Sequence, residues 1–135
     1  MRRVFVSAVV LVLSLAVFAQ ESQIKTGPVI KFEETLLDFG VITQGDTVEH
    51  TFIFQNMGTQ PLKILSARGS CGCTVPTYSK EEVRPGAKGE VVVRFNSAGK
   101  MGKQNKTVTL VTNALSNKTV VLTVRGTIKR KDTED

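Results

Sequence analysis

The chain has 135 residues, 41% of them hydrophobic, and a formal net charge of +6, so it is long enough to bury the core of one domain. Its basic residues are scattered, and it contains no Trp and a single Tyr. Nucleic-acid binding, which needs a basic stripe together with stacking aromatics or a reading helix, is therefore excluded.

The N-terminus has the pattern of a secretory signal peptide. Arg2 and Arg3 form a short positive segment, and residues 4–17 are almost continuously apolar. Small or modest side chains follow at the positions that a signal peptidase reads. We therefore predict a signal peptide over residues 1–19, cleavage between Ala19 and Gln20, and a protein that works in the periplasm or outside the cell.

Cleavage would change the size and the charge of the protein. The signal holds two of the 18 Lys and Arg residues and none of the 12 Asp and Glu residues, so the mature chain has 116 residues and a net charge of +4. The apolar run is shorter than the roughly 20 residues that a transmembrane helix needs. No Cys stands at the cleavage point to carry a lipid. We expect no stable membrane anchor after cleavage.

After the signal, residues 20–28 are polar up to a Gly-Pro break and are predicted to form a flexible lead-in. From residue 29 onward, apolar and polar residues alternate with a period of two, which is typical of half-buried antiparallel strands. Turn sequences rich in Gly, Asn and Asp separate these runs. About seven short strands are predicted, and Asp38-Phe39-Gly40 is placed at the end of the first: residues 29–39, 47–56, 61–67, 73–78, 89–96, 103–112 and 118–128.

The strand pattern predicts an all-β fold, an immunoglobulin-like antiparallel β-sandwich over residues 29–128. The chain lacks the Trp and the widely spaced cysteines of a true immunoglobulin domain. Residues 129–135 carry a short basic run followed by acidic residues and are predicted to be a charged C-terminal tail.

The pair Cys71-Gly72-Cys73 is the most unusual feature of the sequence. A disulfide that closes so short a loop stabilises a fold by only ~1.6 kcal/mol, against ~3 kcal/mol for a 15-residue loop. An extended pair would hold its Cα atoms roughly 6.6–7.2 Å apart, at the upper limit for a disulfide, unless Gly72 bends the chain. Three interpretations stay open: a tight disulfide or pair of buried thiols in a special turn, a redox-active dithiol, or a metal site.

The metal interpretation favours copper over zinc. His50, Met57 and Met101 are the other soft or borderline ligands, which suit Cu(I), whereas structural zinc requires four firm ligands. His50 is also the only histidine, and the alternation places it on the inward face of a strand. Cys71, Cys73 and His50 are therefore the candidate redox or metal residues. No catalytic residues and no bound cofactor other than copper are predicted.

Several blocks of the sequence together resemble the domain-of-unknown-function 1573 family of exported bacterial proteins. The resemblance runs from about residue 32 to residue 127 and implies an immunoglobulin-like sandwich related to Hydin-type modules, without an established activity. The family's characteristic cysteines correspond to Cys71 and Cys73. The blocks are Asp38-Phe39-Gly40, Gly45 with His50-Thr51-Phe52, Asn56-Met57-Gly58 with Pro61-Leu62, Ser70-Cys71-Gly72-Cys73-Thr74, Pro85-Gly86 and Phe95.

The leading functional prediction is a non-enzymatic module that binds or assembles another protein through exposed strand edges and loops. The alternative is a thiol site, copper-binding or redox, built on Cys71 and Cys73. A hydrolase is the weakest hypothesis, because it would need His50 next to a nucleophile that the sequence does not signal.

Overall fold

The computed structural model describes residues 26–132, so the predicted signal peptide, its cleavage site and the last residues of the tail lie outside the described range. Within it the chain forms eight β-strands and no helix. They are β1 (Ile30–Phe32), β2 (Leu36–Thr43), β3 (Thr47–Asn56), β4 (Ile64–Gly69), β5 (Thr74–Tyr78), β6 (Lys88–Asn96), β7 (Gly102–Thr112) and β8 (Thr119–Lys129). No helix that could cross a membrane occurs between residues 26 and 132.

The strands form two four-stranded sheets. Sheet A has the order β1-β3-β6-β5 and sheet B the order β2-β8-β7-β4. Two four-stranded sheets packed face to face form a β-sandwich of the immunoglobulin-like kind. The predicted fold class is confirmed.

The core lies between the two sheets, where the inward residues of each strand meet. Alternation accounts for it: Phe52 and Phe54 of β3 are buried, whereas their neighbours Thr51 and Ile53 are only half-buried. The other strands follow the same rule because successive side chains of a strand point to opposite faces. The fully buried apolar side chains include Leu62, Val91, Phe95, Val108, Leu110 and Leu122.

The first predicted strand, over residues 29–39, is wrong in its extent. The chain pairs with β3 as far as Phe32, leaves sheet A over residues 33–35, and continues in sheet B as β2. β2 runs parallel to β8, unlike the antiparallel pairs predicted throughout. Alternation with a period of two is the same whichever sheet a strand joins, so the sequence does not show that the chain changes sheets over residues 33–35.

The motif Asp38-Phe39-Gly40 lies inside β2 and not at a strand end, which corrects the prediction. The register between β2 and β8 shifts between Asp38 and Val41, as at a β-bulge. The backbone N–H of Gly40 donates to Asp38 Oδ1 at 3.0 Å, so the aspartate supports the local turn that the bulge requires. Phe39 points inward and stacks on Phe95, with ring centroids 5.6 Å apart.

Candidate functional site: the two flanks of the sandwich

The chain passes between the sheets on both open sides of the sandwich. On one side it crosses from β1 to β2 over residues 33–35, and we call this side, with the neighbouring edge of β3, the β1/β2 flank. On the other side it crosses from β4 to β5 over residues 70–73, and we call this the β4/β5 flank. Of the candidate site residues, His50 lies on the first flank, and Cys71 and Cys73 lie on the second.

The β1/β2 flank leaves part of β3 without a neighbour. β1 covers only residues 54–56 of β3, and the last backbone bond on that side runs from Glu33 N–H to the Ile53 carbonyl at 2.9 Å. In the ladder with β6, Ser97 N–H bonds the Asp46 carbonyl and Asn56 N–H bonds the Ala87 carbonyl. The even-numbered residues of β3 therefore direct their backbone N–H and carbonyl groups toward β6.

The odd-numbered residues of β3 consequently direct their N–H and carbonyl groups away from β6, because hydrogen-bonding residues alternate along an antiparallel pair. Thr47, Glu49 and Thr51 occupy these positions beyond the end of β1. No strand among residues 26–132 pairs with that side of residues 47–52. The free edge of β3, residues 47–52, is thus an unused row of backbone donors and acceptors.

His50 lies on the inward side of this free edge. Its Nε2 is 2.5 Å from Glu34 Oε1, in the segment that crosses between the sheets, and its ring meets Phe52 edge-on with centroids 4.7 Å apart. The imidazole side chain is 27% exposed, so the predicted inward position holds only in part. Its partner is a carboxylate, and the described contacts bring no nucleophile to it.

Beyond the free edge, the bulge of β2 borders a shallow depression of about 470 Å³ on the outer face of sheet B. It is lined partly by the exposed pair Asp38 and Arg125, whose Oδ2 and Nε atoms are 3.3 Å apart. A solvated ion pair of this kind is weakly bound and gives the depression no concentrated polar chemistry.

The β4/β5 flank is closed at its turn, where the end of β4 contacts the start of β5. A Cβ atom added to Gly69 would collide with the carbonyl oxygen of Thr74, so the two backbones approach more closely there than a side chain would permit. β5 also carries Pro76, which has no N–H to offer to an incoming strand. This flank is therefore a poor edge for strand addition.

Cys71 and Cys73 form a disulfide within the turn that joins β4 to β5. Their Cα atoms are 5.2 Å apart, closer than an extended chain allows, because the Thr74 N–H bonds the Cys71 carbonyl and bends the segment. Thr74 Oγ1 lies 3.6 Å from Cys71 Sγ and 3.8 Å from Cys73 Sγ. In this structure the two cysteines are therefore bonded to each other and are not a pair of free thiols.

The structure does not bring the predicted copper ligands together. Met57 follows β3 at the end of the sandwich opposite to the cysteine turn, whereas Met101 precedes β7 at the same end as the turn. His50 lies on β3, separated from β5 by the whole width of β6. Among residues 26–132 no group of three or more His, Cys, Asp or Glu side chains could hold a metal ion.

Two residues that contact the predicted sites were missed in the sequence. Glu34 gives no local signal, because its pairing with His50 depends on where the chain crosses between sheets. Thr74 directly follows the second cysteine, and its hydroxyl lies against both sulfur atoms. Its position next to Cys73 in the sequence is the signal that could have identified it.

Comparison with solved structures gives several matches to the sandwich. A protein of unknown function from Porphyromonas gingivalis W83 has 17% identity and a TM-score of 0.66 over 76% of this chain, which spans 47% of that one. The ASH/PapD-like domain 7 of human CEP192 has 13% identity and a TM-score of 0.58, with 76% and 87% of the two chains covered.

The periplasmic chaperone SfaE shares 6% identity, with a TM-score of 0.52 and coverage of 77% of this chain and 59% of that one. At such identities the similarity demonstrates a shared fold alone. No curated protein matches the chain. Residues 30–128 match the family described as "Protein of unknown function (DUF1573)", and the chain belongs to that family.

Proposed function

We propose that this protein is an exported, non-enzymatic module that binds or assembles another protein, and that it receives an extended segment of its partner along the free edge of β3. The observation that carries the proposal is the row of outward backbone groups at Thr47, Glu49 and Thr51. Strand addition to such an edge is a common way for sheets to bind peptides, with main-chain hydrogen bonds supplying affinity.

The energetics suit a specific but modest interaction. Each backbone hydrogen bond contributes about 0.5–1.5 kcal/mol net, so a few bonds along residues 47–52 need additional contacts to give stable binding. Those contacts are available from Phe39, Ile42 and Val48, which are only partly buried although they contact the core. We expect the partner segment to alternate apolar and polar residues, with its apolar side turned toward these three.

Export rests on the sequence of residues 1–19. A direct test is N-terminal sequencing of the protein recovered from cell fractions of its own host. We expect the chain to begin at Gln20 and to be found outside the cytoplasm. A chain that begins at Met1 and stays with the cytoplasmic fraction would contradict export, while leaving the strand-addition test below unaffected.

The binding proposal is tested by placing a photo-crosslinking residue at position 49 in living cells. We expect one partner to be captured, and its crosslinked peptide to have the alternating apolar pattern. The variant Thr51→Pro should abolish the capture, because proline removes an outward N–H but leaves the ladder with β6 intact.

Two variants serve as matched controls. Thr51→Ala keeps the N–H, and Ala67→Pro removes an outward N–H from β4 on the opposite flank. Both should retain the crosslink, and thermal unfolding should show that all three variants are folded. A crosslink that persists in Thr51→Pro would refute strand addition at this edge.

The thiol site is the second candidate function, and the disulfide favours its redox form over its copper form. Copper binding requires thiolate ligands, and both sulfur atoms are bonded to each other. An accessible disulfide in a surface turn can instead exchange with other thiols.

A further inference from the structure

We infer that the Cys71–Cys73 disulfide is an exchange site for a dithiol of another protein, with Cys71 as the sulfur that is attacked and Cys73 as the sulfur that leaves. This inference goes beyond partner binding at β3 and rests on the second candidate function. It assigns Thr74 as the residue whose hydroxyl donates to the departing thiolate.

The first observation is that the disulfide contributes little to the fold. It joins residues two positions apart, within a single turn, and connects no elements that are otherwise separate. The chain-entropy model gives ~1.6 kcal/mol for so short a loop. A bond that stabilises so little can be opened and closed while the sandwich stays folded.

The second observation is that the backbone around the two cysteines is held by bonds that do not involve sulfur. Ser70 N–H donates to the Thr107 carbonyl at 2.8 Å, and Asn96 N–H donates to the Cys73 carbonyl at 2.9 Å. These bonds anchor the turn to β7 on one side and to β6 on the other. The two thiols of the reduced form therefore stay close to each other, which favours rapid closure of the disulfide.

The third observation concerns Thr74. The residue is 2% exposed, and its hydroxyl lies within hydrogen-bonding distance of both sulfurs. A buried hydroxyl that can donate to either sulfur stabilises the thiolate formed when the disulfide opens. Thr74 therefore acts as a positioning residue for the leaving sulfur, and the disulfide itself carries the chemistry.

The two sulfurs differ in what surrounds them. Cys73 packs against the hydrophobic core, whereas Cys71, which is also partly buried, is not part of that cluster. Thiol–disulfide exchange proceeds by in-line attack of a thiolate on the more accessible sulfur. This geometry points to Cys71 as the site of attack.

The reaction balances without any further reagent. A thiolate of the partner attacks Cys71 Sγ, forms a mixed disulfide and releases Cys73 as a thiolate. The second thiol of the partner, once deprotonated, attacks the partner's first sulfur in the mixed disulfide and releases Cys71 as a thiolate. The partner's two thiols are oxidised to a disulfide, the Cys71–Cys73 disulfide is reduced to a dithiol, and the two protons pass from the partner to the cysteines.

The test uses the purified protein with glutathione as the probe. Reduced glutathione should open the disulfide while circular dichroism shows that the fold is retained. In oxidised glutathione, the variant Cys73→Ser should form a mixed disulfide at Cys71 several-fold faster than Cys71→Ser forms one at Cys73. Mass spectrometry after alkylation identifies which sulfur carries the adduct.

A further pair of variants tests the role of Thr74. Thr74→Val should slow reduction about fivefold, the rate equivalent of one hydrogen bond, whereas Thr77→Val, on the exposed face of the same strand, should leave it unchanged. Equal rates in the two variants would overturn the role of Thr74.

The outcomes separate the inference from the function on which it rests. A disulfide that reduced glutathione leaves intact would overturn the redox function, and with it the exchange site. A disulfide that is reduced, but whose adduct forms faster at Cys73 than at Cys71, would overturn the assigned roles alone.

Discussion

The chain crosses between the two sheets on both flanks of the sandwich, but at different positions along the strands. On each flank the chain must leave one sheet and enter the other. On the β1/β2 flank it crosses partway along the sheet, at residues 33–35, so that β1 and β2 each cover only part of a neighbouring strand. On the β4/β5 flank it crosses at the end of the sandwich, through the turn that holds the disulfide.

The position of the crossing determines what each flank can do. A crossing partway along the sheet leaves residues 47–52 of β3 without a strand on the side away from β6, where His50 contacts Glu34 of the crossing segment. A crossing at the end brings the last residue of β4 against the first residue of β5, at a distance that requires Gly69. The first arrangement leaves one side of β3 without a neighbouring strand, and the second places the disulfide in the connecting turn.

The largest expected effect is on the closed flank. Gly69→Ala should lower the free energy of unfolding by about 3 kcal/mol, because the added Cβ meets the backbone carbonyl of Thr74, which cannot move without separating β4 from β5. Urea unfolding measures the change. Gly72→Ala, whose Cβ would meet no atom within 4 Å, should stay within about 0.5 kcal/mol of the original protein. Equal losses in the two variants would show that the close approach is not what seals this flank.

The corresponding substitution on the open flank should cost less. In Gly126→Ala the added Cβ meets the ring of Phe39, a side chain that can rotate away, so we expect a loss of about 2 kcal/mol. A double-mutant cycle with Phe39→Leu checks the cause, because the smaller side chain should relieve much of the loss. Simple additivity of the two substitutions would contradict a contact between these residues.

Removing the disulfide should have a smaller effect again. The double variant Cys71→Ser, Cys73→Ser should lose at most about 1.6 kcal/mol of unfolding free energy, and reduction of the original protein should lower the unfolding free energy measured in denaturant by the same amount. A loss near that of a long-range disulfide would mean that the bond staples the flank, and would contradict a turn held by its own backbone bonds.

The smallest effect is expected at the bulge of β2. Asp38→Ala should cost about 1 kcal/mol, since it removes the acceptor for the Gly40 N–H. Asp38→Asn keeps an acceptor and should be nearly neutral, because the exposed contact with Arg125 contributes little. Thermal unfolding in low and high salt separates the two contributions. A large, salt-dependent loss in Asp38→Asn would show that the ion pair, rather than the turn, holds the bulge.

Particular elements show how far the sequence could be interpreted. The alternation over residues 47–56 and 89–96 predicted β3 and β6 almost to the residue, because a half-buried strand must place apolar residues on every second position. The same alternation wrongly predicted one continuous strand across residues 33–35. Both halves of that predicted strand have a half-buried face, so the alternation continues although the chain changes sheets.

The candidate sites divide in the same way. The proximity of Cys71 and Cys73 follows from their spacing, and the bond from Thr74 N–H to the Cys71 carbonyl bends the segment enough for the disulfide. The contact of Glu34 with His50 joins residues 16 positions apart, and the free edge of β3 depends on where a different strand stops pairing. Such features arise between strands, so no local pattern records them.

By itself, the sequence determined the all-β class, most strand positions, the inward residues and the unusual cysteine spacing, because these properties depend on neighbours along the chain. Only the tertiary structure decided that the first strand divides between two sheets, that one side of β3 has no neighbour while the other flank is closed at its turn, and that the Thr74 hydroxyl lies against two sulfur atoms. The physical reason is that strand pairing is non-local: a backbone N–H is free or bonded according to the path of a distant segment, and that path is set when the two sheets close over the core.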